Sequence, residues 1–109
     1  MPGLENLPPA IADFFDATNR SDRERFLAAF AGDAVLDDWG RSFSGHDGIA
    51  TWNDNENMGV QSHFEVEGFT ETNGVYAVAI KVTGNGYNGG GTMAFALEGD
   101  RISRVDITG

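Results

Sequence analysis

From residue 60 to its end, the chain alternates apolar and polar residues in four runs separated by turn signals. Residues 60–67 place Val60, Phe64 and Val66 on one face, and residues 75–83 place Tyr76, Val78, Ile80 and Val82 on one face. Residues 92–98 and 101–107 supply two more runs. Asn73-Gly74 and Gly99-Asp100 fall between runs, and such pairs reach the positive φ that tight hairpins need. A period of two with tight turns predicts a four-strand antiparallel meander. A sheet of that kind must bury one face, and only the first half of the chain is left to cover it.

The first half reads as helices. Ile11, Phe14, Phe15 and Thr18 recur at i, i+3, i+4 and i+7. This predicts a helix that opens at Leu7-Pro-Pro-Ala with Asn6 as N-cap and ends near Asn19-Arg20. Ser21-Asp-Arg-Glu24 has the form of a capping box, so a second helix follows at once. Phe26, Leu27 and Phe30 are its expected buried face, and Gly32 its stop. A strand then carries Val35, Leu36, Asp37, Asp38 and Trp39, Gly40 turns it, and Arg41-Ser-Phe-Ser returns. A third helix from about Asp47 buries Ile49 and Trp52. Its polar second half, residues 53–57, is expected to be a solvated helix end; the alternative is that one or two of its groups edge a pocket. The order is helix pair, strand, helix and meander, an α+β layout that 109 residues, 40% of them hydrophobic, can build as one domain spanning 1–109.

Charge narrows the partners. Seventeen acids against seven basic residues leave a net charge of −10. That balance repels phosphate backbones and anionic lipid, so no nucleic acid and no membrane is expected as partner. No stretch approaches the ~20 apolar residues of a membrane span. The N-terminal residues have neither a basic region nor an apolar run, so no secretory signal and a cytoplasmic location are expected. The chain has no cysteine, which removes disulfides and thiolate ligands. His46 and His63 stand 17 positions apart without ligand spacing, so neither a metal nor a cofactor is expected.

Chemistry is then left to carboxylates. Asp37 and Asp38 are adjacent at a strand end, and side chains alternate along a strand, so one faces in and the other out. Asp106, between Val105 and Ile107, is a third candidate; for each of these carboxylates the equal alternative is a strand-edge Asp facing water. An acid inside an apolar cavity can serve as general acid or base. Trp39, Trp52 and Phe14 are the expected cavity walls. Tyr76 joins them through its strand parity; Tyr87, at the centre of the glycine-rich hairpin tip 84–91, is either a lid or a surface aromatic; His63, on a polar strand face, is expected to meet solvent or an interface, with a proton shuttle in the pocket as the alternative. No G-x-S-x-G and no Cys nucleophile is present, so covalent acyl chemistry has no support.

Phe15-Asp-Ala-Thr-Asn-Arg-Ser-Asp22, Phe30-Ala-Gly-Asp-Ala-Val35, Gly40-Arg-Ser-Phe-Ser-Gly-His-Asp-Gly-Ile49 and Gly99-Asp-Arg-Ile-Ser-Arg-Val-Asp-Ile107 together resemble the nuclear transport factor 2-like superfamily, most closely its bacterial SnoaL-like branch. The resemblance implies a cone, in which a strongly bent, mainly antiparallel sheet wraps three N-terminal-half helices around a pocket, and a homodimer paired through the sheet. It implies a small apolar ligand and cofactor-independent isomerisation, cyclisation or hydration, with a non-catalytic binding or scaffold protein as the alternative. Ketosteroid isomerases of this fold use an Asp base at the end of the first strand; Asp37 matches that position, with Asp38 the near alternative. Phe14 stands where they carry a tyrosine, and Met93 close to their second oxyanion-hole acid, so the base is implied without its donors. Polyketide cyclases place an acid–base Asp on a late strand. Val105-Asp106-Ile107 is similar, with Arg104-Val105 in place of their His-Trp.

Overall fold

Proline decides where the first helix begins. In the computed structural model, which describes residues 6–108, α1 runs Pro9–Asn19. The residue before a proline is pushed to extended backbone, so Pro8 sits at ψ 145° as the N-cap, and Asn6 does not cap the helix. The reading of the extreme N-terminus rests on residues 1–5, which lie outside the described residues. The second helix, α2 (Arg23–Ala28), is capped by Asp22, which accepts from the Arg25 N–H at 3.2 Å, rather than by Ser21. Ser21 instead takes a left-handed φ of 57°, which reverses the chain between two helices that almost touch in sequence. Gly32 does not end α2. Phe30 and Gly32 both belong to β1 (Phe30–Asp38), because Phe30 is drawn into register with Ile102 of β6 (Arg101–Thr108).

β1 turns into β2 (Arg41–Ser44) through Trp39 and Gly40, both at positive φ. Next comes α3 (Gly45–Trp52), which continues without a break into a π-helical segment, Asn53–Asn57; the backbone leaves the helical region at Asn57 (φ −122°, ψ −92°) before a 3₁₀ turn, Met58–Val60. β3 (His63–Thr72), β4 (Val75–Thr83), β5 (Gly89–Glu98) and β6 complete the chain as the expected antiparallel meander. Asn73 and Gly74 turn β3 into β4 with φ of 53° and 84°. Several boundaries differ from the expected ones: α3 begins at Gly45 rather than about Asp47, and β3 ends at Thr72 rather than Glu67. Val60 lies in the 3₁₀ turn rather than in a strand, and β5 starts at Gly89 rather than Thr92. Gly89, Gly90 and Gly91 pair with Val82, Lys81 and Ile80, so backbone pairing overrides their low strand propensity.

The sheet order is β2-β1-β6-β5-β4-β3, with β1 parallel to β6 and every other described pair antiparallel. Register shifts at Phe30/Val35, Val66/Gly68 and Ala96/Leu97 bend it, as bulges do. The result is an α+β cone, with the helices against the inner face of the bent sheet. Phe14 is the hub of its filled end. The Phe14 ring lies within 6.4 Å, centroid to centroid, of Phe15, Phe26, Phe30, Trp52, Phe64 and Phe95. Thr18, buried on the same helix face, donates from its hydroxyl to the Phe14 carbonyl at 2.7 Å, which leaves no unpaired polar group on that face.

Candidate functional site

The inward positions of β5 shrink toward one end, from Phe95 through Met93 to Gly91. Phe95 and Met93 are buried, whereas Gly91 lines open space. A cavity of about 380 Å³ results at that end of the cone. Its apolar wall is made by Trp52, Phe64, Ile80, Val82, Met93 and Ile107. Trp39 and Tyr87, two of the most exposed apolar residues in the chain, also border it. The Tyr87 hydroxyl donates to the Gly90 carbonyl at 2.7 Å, which folds the ring back over its own hairpin. Three charged residues border the cavity: Asp38, Arg41 and Glu56.

Strand parity settles the Asp pair. Ala34 and Leu36 are buried, and Asp38 continues their face; its side chain is 16% exposed and lines the cavity. One carboxylate oxygen of Asp38, Oδ2, accepts from the Trp52 indole N–H at 3.0 Å and from Arg41 Nη2 at 3.1 Å. The other, Oδ1, has no hydrogen-bond partner among the described residues. Arg41 faces Asp38 directly across the Trp39-Gly40 turn. Its two terminal nitrogens also grip both oxygens of Glu56, through Nη1–Oε2 at 3.0 Å and a closer Nη2–Oε1 contact. The Glu56 hydrogen bond, ahead of the nearby charges of Glu56 and Asp38, holds the Arg41 guanidinium still more firmly in its cationic form.

The other candidates lie elsewhere. Asp37 points to the outer face and accepts from the Gly40 N–H at 2.8 Å, which clasps the turn. Asp106, its neighbour across the parallel pairing, is also on the outer face, where Arg104 grips both its oxygens at 2.9–3.1 Å. Neither borders the cavity, because Ile107 takes the inward position beside Asp106. Phe14 belongs to the filled core beneath the cavity rather than to its wall. Tyr76 is on the inner face but at the opposite end of β4, where it packs against Phe69 at 6.1 Å. His63 is exposed on β3 and outside the cavity lining. Among the described residues no group of three His, Asp or Glu gathers as a metal site, and no helix is long and apolar enough to cross a membrane.

The polar run 53–57 is not a solvated helix end. Asn53 and Asn57 are buried, and Asn57 Nδ2 donates to Thr18 Oγ1 at 3.1 Å and to Asn53 Oδ1 at 2.9 Å. The run closes as a π turn, which brings Asn55, Glu56 and Asn57 to the cavity. Gly59 makes the turn possible: a Cβ there would overlap the carbonyl oxygen of Asp54. The signal was present in the spacing, because Ile49, Asn53 and Asn57 follow one another at i+4 on a single face. Arg41 and Glu56 carried no comparable mark, since an exposed-looking Arg and Glu 15 positions apart pair only through tertiary structure.

A bent α+β cone with helices on its concave face and an apolar cavity at its open end defines a class of small domains that hosts many activities. The SnoaL-like domain model matches residues 11–105, and the chain belongs to that family. A Sinorhizobium meliloti protein provisionally named a polyketide cyclase is 27% identical, with a TM-score of 0.89 over 96% of this chain and 98% of its own. A Mycobacterium tuberculosis protein in complex with estradiol-17β-hemisuccinate is 15% identical, with a TM-score of 0.78 over 90% of this chain and 88% of its own. The Δ5-3-ketosteroid isomerase of a Mycobacterium species is 16% identical, with a TM-score of 0.78 over 92% of this chain and 89% of its own. The last two show the shared fold. Among curated proteins, none matches significantly.

Proposed function

We propose that the chain binds a small, largely apolar molecule in the open end of the cone and moves a proton on it through Asp38. The observation that carries this reading is the Asp38 carboxylate itself: it lines an apolar cavity, Trp52 and Arg41 fix one oxygen, and the other is left for a ligand. A base held in one orientation beside an apolar wall is what proton abstraction from carbon requires. Met93 offers no donor to a developing oxyanion, and Ser62 and Thr108 are the aliphatic hydroxyls of the lining. Relatives of this fold include a ketosteroid isomerase and a protein in complex with a steroid ester, which supports a ring-shaped apolar ligand. A Δ5-3-ketosteroid is therefore the first probe. A base takes the proton between its carbonyl and its alkene and returns it to the far alkene carbon, and ultraviolet absorbance of the conjugated product reads the step. Conversion above buffer that falls by about 10²–10⁴ in Asp38→Asn supports the reading. Equal conversion by both proteins overturns it.

Assembly belongs to the same proposal. The outer face of the sheet carries small side chains at Ala77, Ala79, Ala94 and Ala96, opposite in parity to the buried Val78, Ile80, Met93 and Phe95. A face so low in relief suits a twofold pairing of two copies, with their cavities pointing away from the contact. Light scattering should give twice the 11.7 kDa chain mass at micromolar concentration; the mass of one chain would refute it.

A further inference from the structure

We infer that Glu56 sets the charge selectivity of the cavity by occupying Arg41, so that the site accepts uncharged and cationic apolar ligands and rejects acid-bearing ones. The inference rests on the reading of the cavity as a ligand site. Its basis is the charge inventory of the lining. Arg41 is the sole cation there among the described residues, against two carboxylates, and the whole chain adds a net −10 around it. A ligand carboxylate would need Arg41, because no other lining side chain carries positive charge.

Glu56 denies it that partner. Both of its oxygens engage the guanidinium, a two-point fit that also fixes orientation, and Asp38 takes a third contact. Glu56 is only 34% exposed and rides on the π segment, while Arg41 is 56% exposed on β2. Arg41 is the sole hydrogen-bond partner of the Glu56 side chain among the described residues, so the carboxylate is committed wholly to the guanidinium. What remains open to a ligand is the unpartnered Oδ1 of Asp38, an acceptor that meets a hydroxyl, an amide or an ammonium and repels an acid. Removing the charge of Glu56 frees one face of Arg41 and lowers the negative potential of the cavity.

The test uses two probes that share one apolar body, estradiol and estradiol-17β-hemisuccinate. Trp39 and Trp52, the only tryptophans of the chain, both line the cavity, so quenching of intrinsic fluorescence reads occupancy. The protein as it stands should bind estradiol more tightly than the hemisuccinate. In Glu56→Gln the ratio of hemisuccinate affinity to estradiol affinity should rise at least about tenfold, the worth of one charge-assisted hydrogen bond. In Arg41→Gln/Glu56→Gln that rise should vanish, because the acid gains its affinity through Arg41. A thermal melt of each variant establishes that it is folded before binding is compared. Equal or tighter binding of the hemisuccinate by the unaltered protein overturns the inference and leaves the ligand-site reading intact. An unchanged ratio in Glu56→Gln, or a rise that persists in the double variant, overturns the role of Glu56 and Arg41. Binding of neither probe overturns the ligand-site reading and the selectivity with it.

Discussion

The two ends of the cone are built from the same strands and differ in what stands at their inward positions. At the filled end Phe14 meets six aromatic rings, and Ile102, Val105 and Phe95 close the sheet against it. At the open end the same strands offer Asp38 after Leu36, Gly91 after Met93 and Ile107 after Val105. The helical layer changes in step, with the buried Ile49 giving way through Trp52, which borders both ends, to Asn55, Glu56 and Asn57. One end spends its apolar surface on stability. The other leaves apolar surface uncovered and adds a fixed carboxylate, the combination that a binding or catalytic site requires.

The sharpest way to break this contrast is to open the filled end. Phe14→Ala should cost about 3–5 kcal/mol, since six close-packed neighbours cannot collapse onto the gap. Ile107→Ala at the cavity wall should cost much less, because its side chain already borders empty space. Urea denaturation of both variants checks the pair, and equal losses would mean that the two ends are packed alike.

Gly59→Ala attacks the open end through its backbone. The new Cβ meets the Asp54 carbonyl, so the π turn has to rearrange at a cost of about 1–3 kcal/mol. Asn55, Glu56 and Asn57 leave the cavity with it. Stability should therefore drop, and probe binding should drop further than the fraction of unfolded protein explains. A variant that is destabilised but still binds would separate the π segment from the site.

The Asp variants sharpen the contrast between the two faces of one strand. Asp38→Asn keeps an acceptor for Trp52 and weakens the bond to Arg41, so stability should change by less than about 1 kcal/mol while proton transfer is lost. Asp106→Asn loses only the exposed pair with Arg104 and should leave the cavity untouched. Denaturation curves and steroid isomerisation measured side by side distinguish the two; loss of conversion in Asp106→Asn would return that residue to the site.

The smallest effect is acid-dependent and lies outside the cavity. The hydrogen bond from Arg25, then that from Arg20, holds the Asp16 carboxyl below its ordinary value of 3.8, and Arg23 does the same for Asp54. A lowered folded value means that the unfolded chain takes up protons first as pH falls. The stability these groups contribute is thus fully present above 3.8 and is lost as pH drops through the lower folded values. For Asp16, which is partly exposed and screened, the loss should not exceed about 1 kcal/mol. Melting curves of Asp16→Asn and the unaltered chain should converge as pH falls below 4. Convergence on raising the pH instead would reverse the sign.

Patterns of local period carried most of the architecture. The alternation of residues 75–83 and 101–107, the Asn73-Gly74 turn and the apolar stripe of α1 each act over a few residues, so they are legible in the linear chain. Parity also established that only one of Asp37 and Asp38 could face inward. The choice between them was not legible, because it depends on the phase of β1 relative to the core, which the buried Ala34 and Leu36 define only once the strand is packed. Asp106 stood among the candidates for the same reason, and packing turned its neighbour Ile107 inward. Helix starts moved by one or two residues where Pro8 and Asp22 met backbone constraints that no propensity ranks.

The order of elements, the α+β class and the acidic, cysteine-free composition are written in the linear chain, because alternation, turn residues and charge act locally or by simple addition. Packing chose which carboxylate meets the cavity, brought Gly91 and the π turn to its lining, and set Arg41 between Asp38 and Glu56. Those outcomes depend on distances between residues far apart in the chain. Long-range packing and strand register set such distances, and no local preference encodes them.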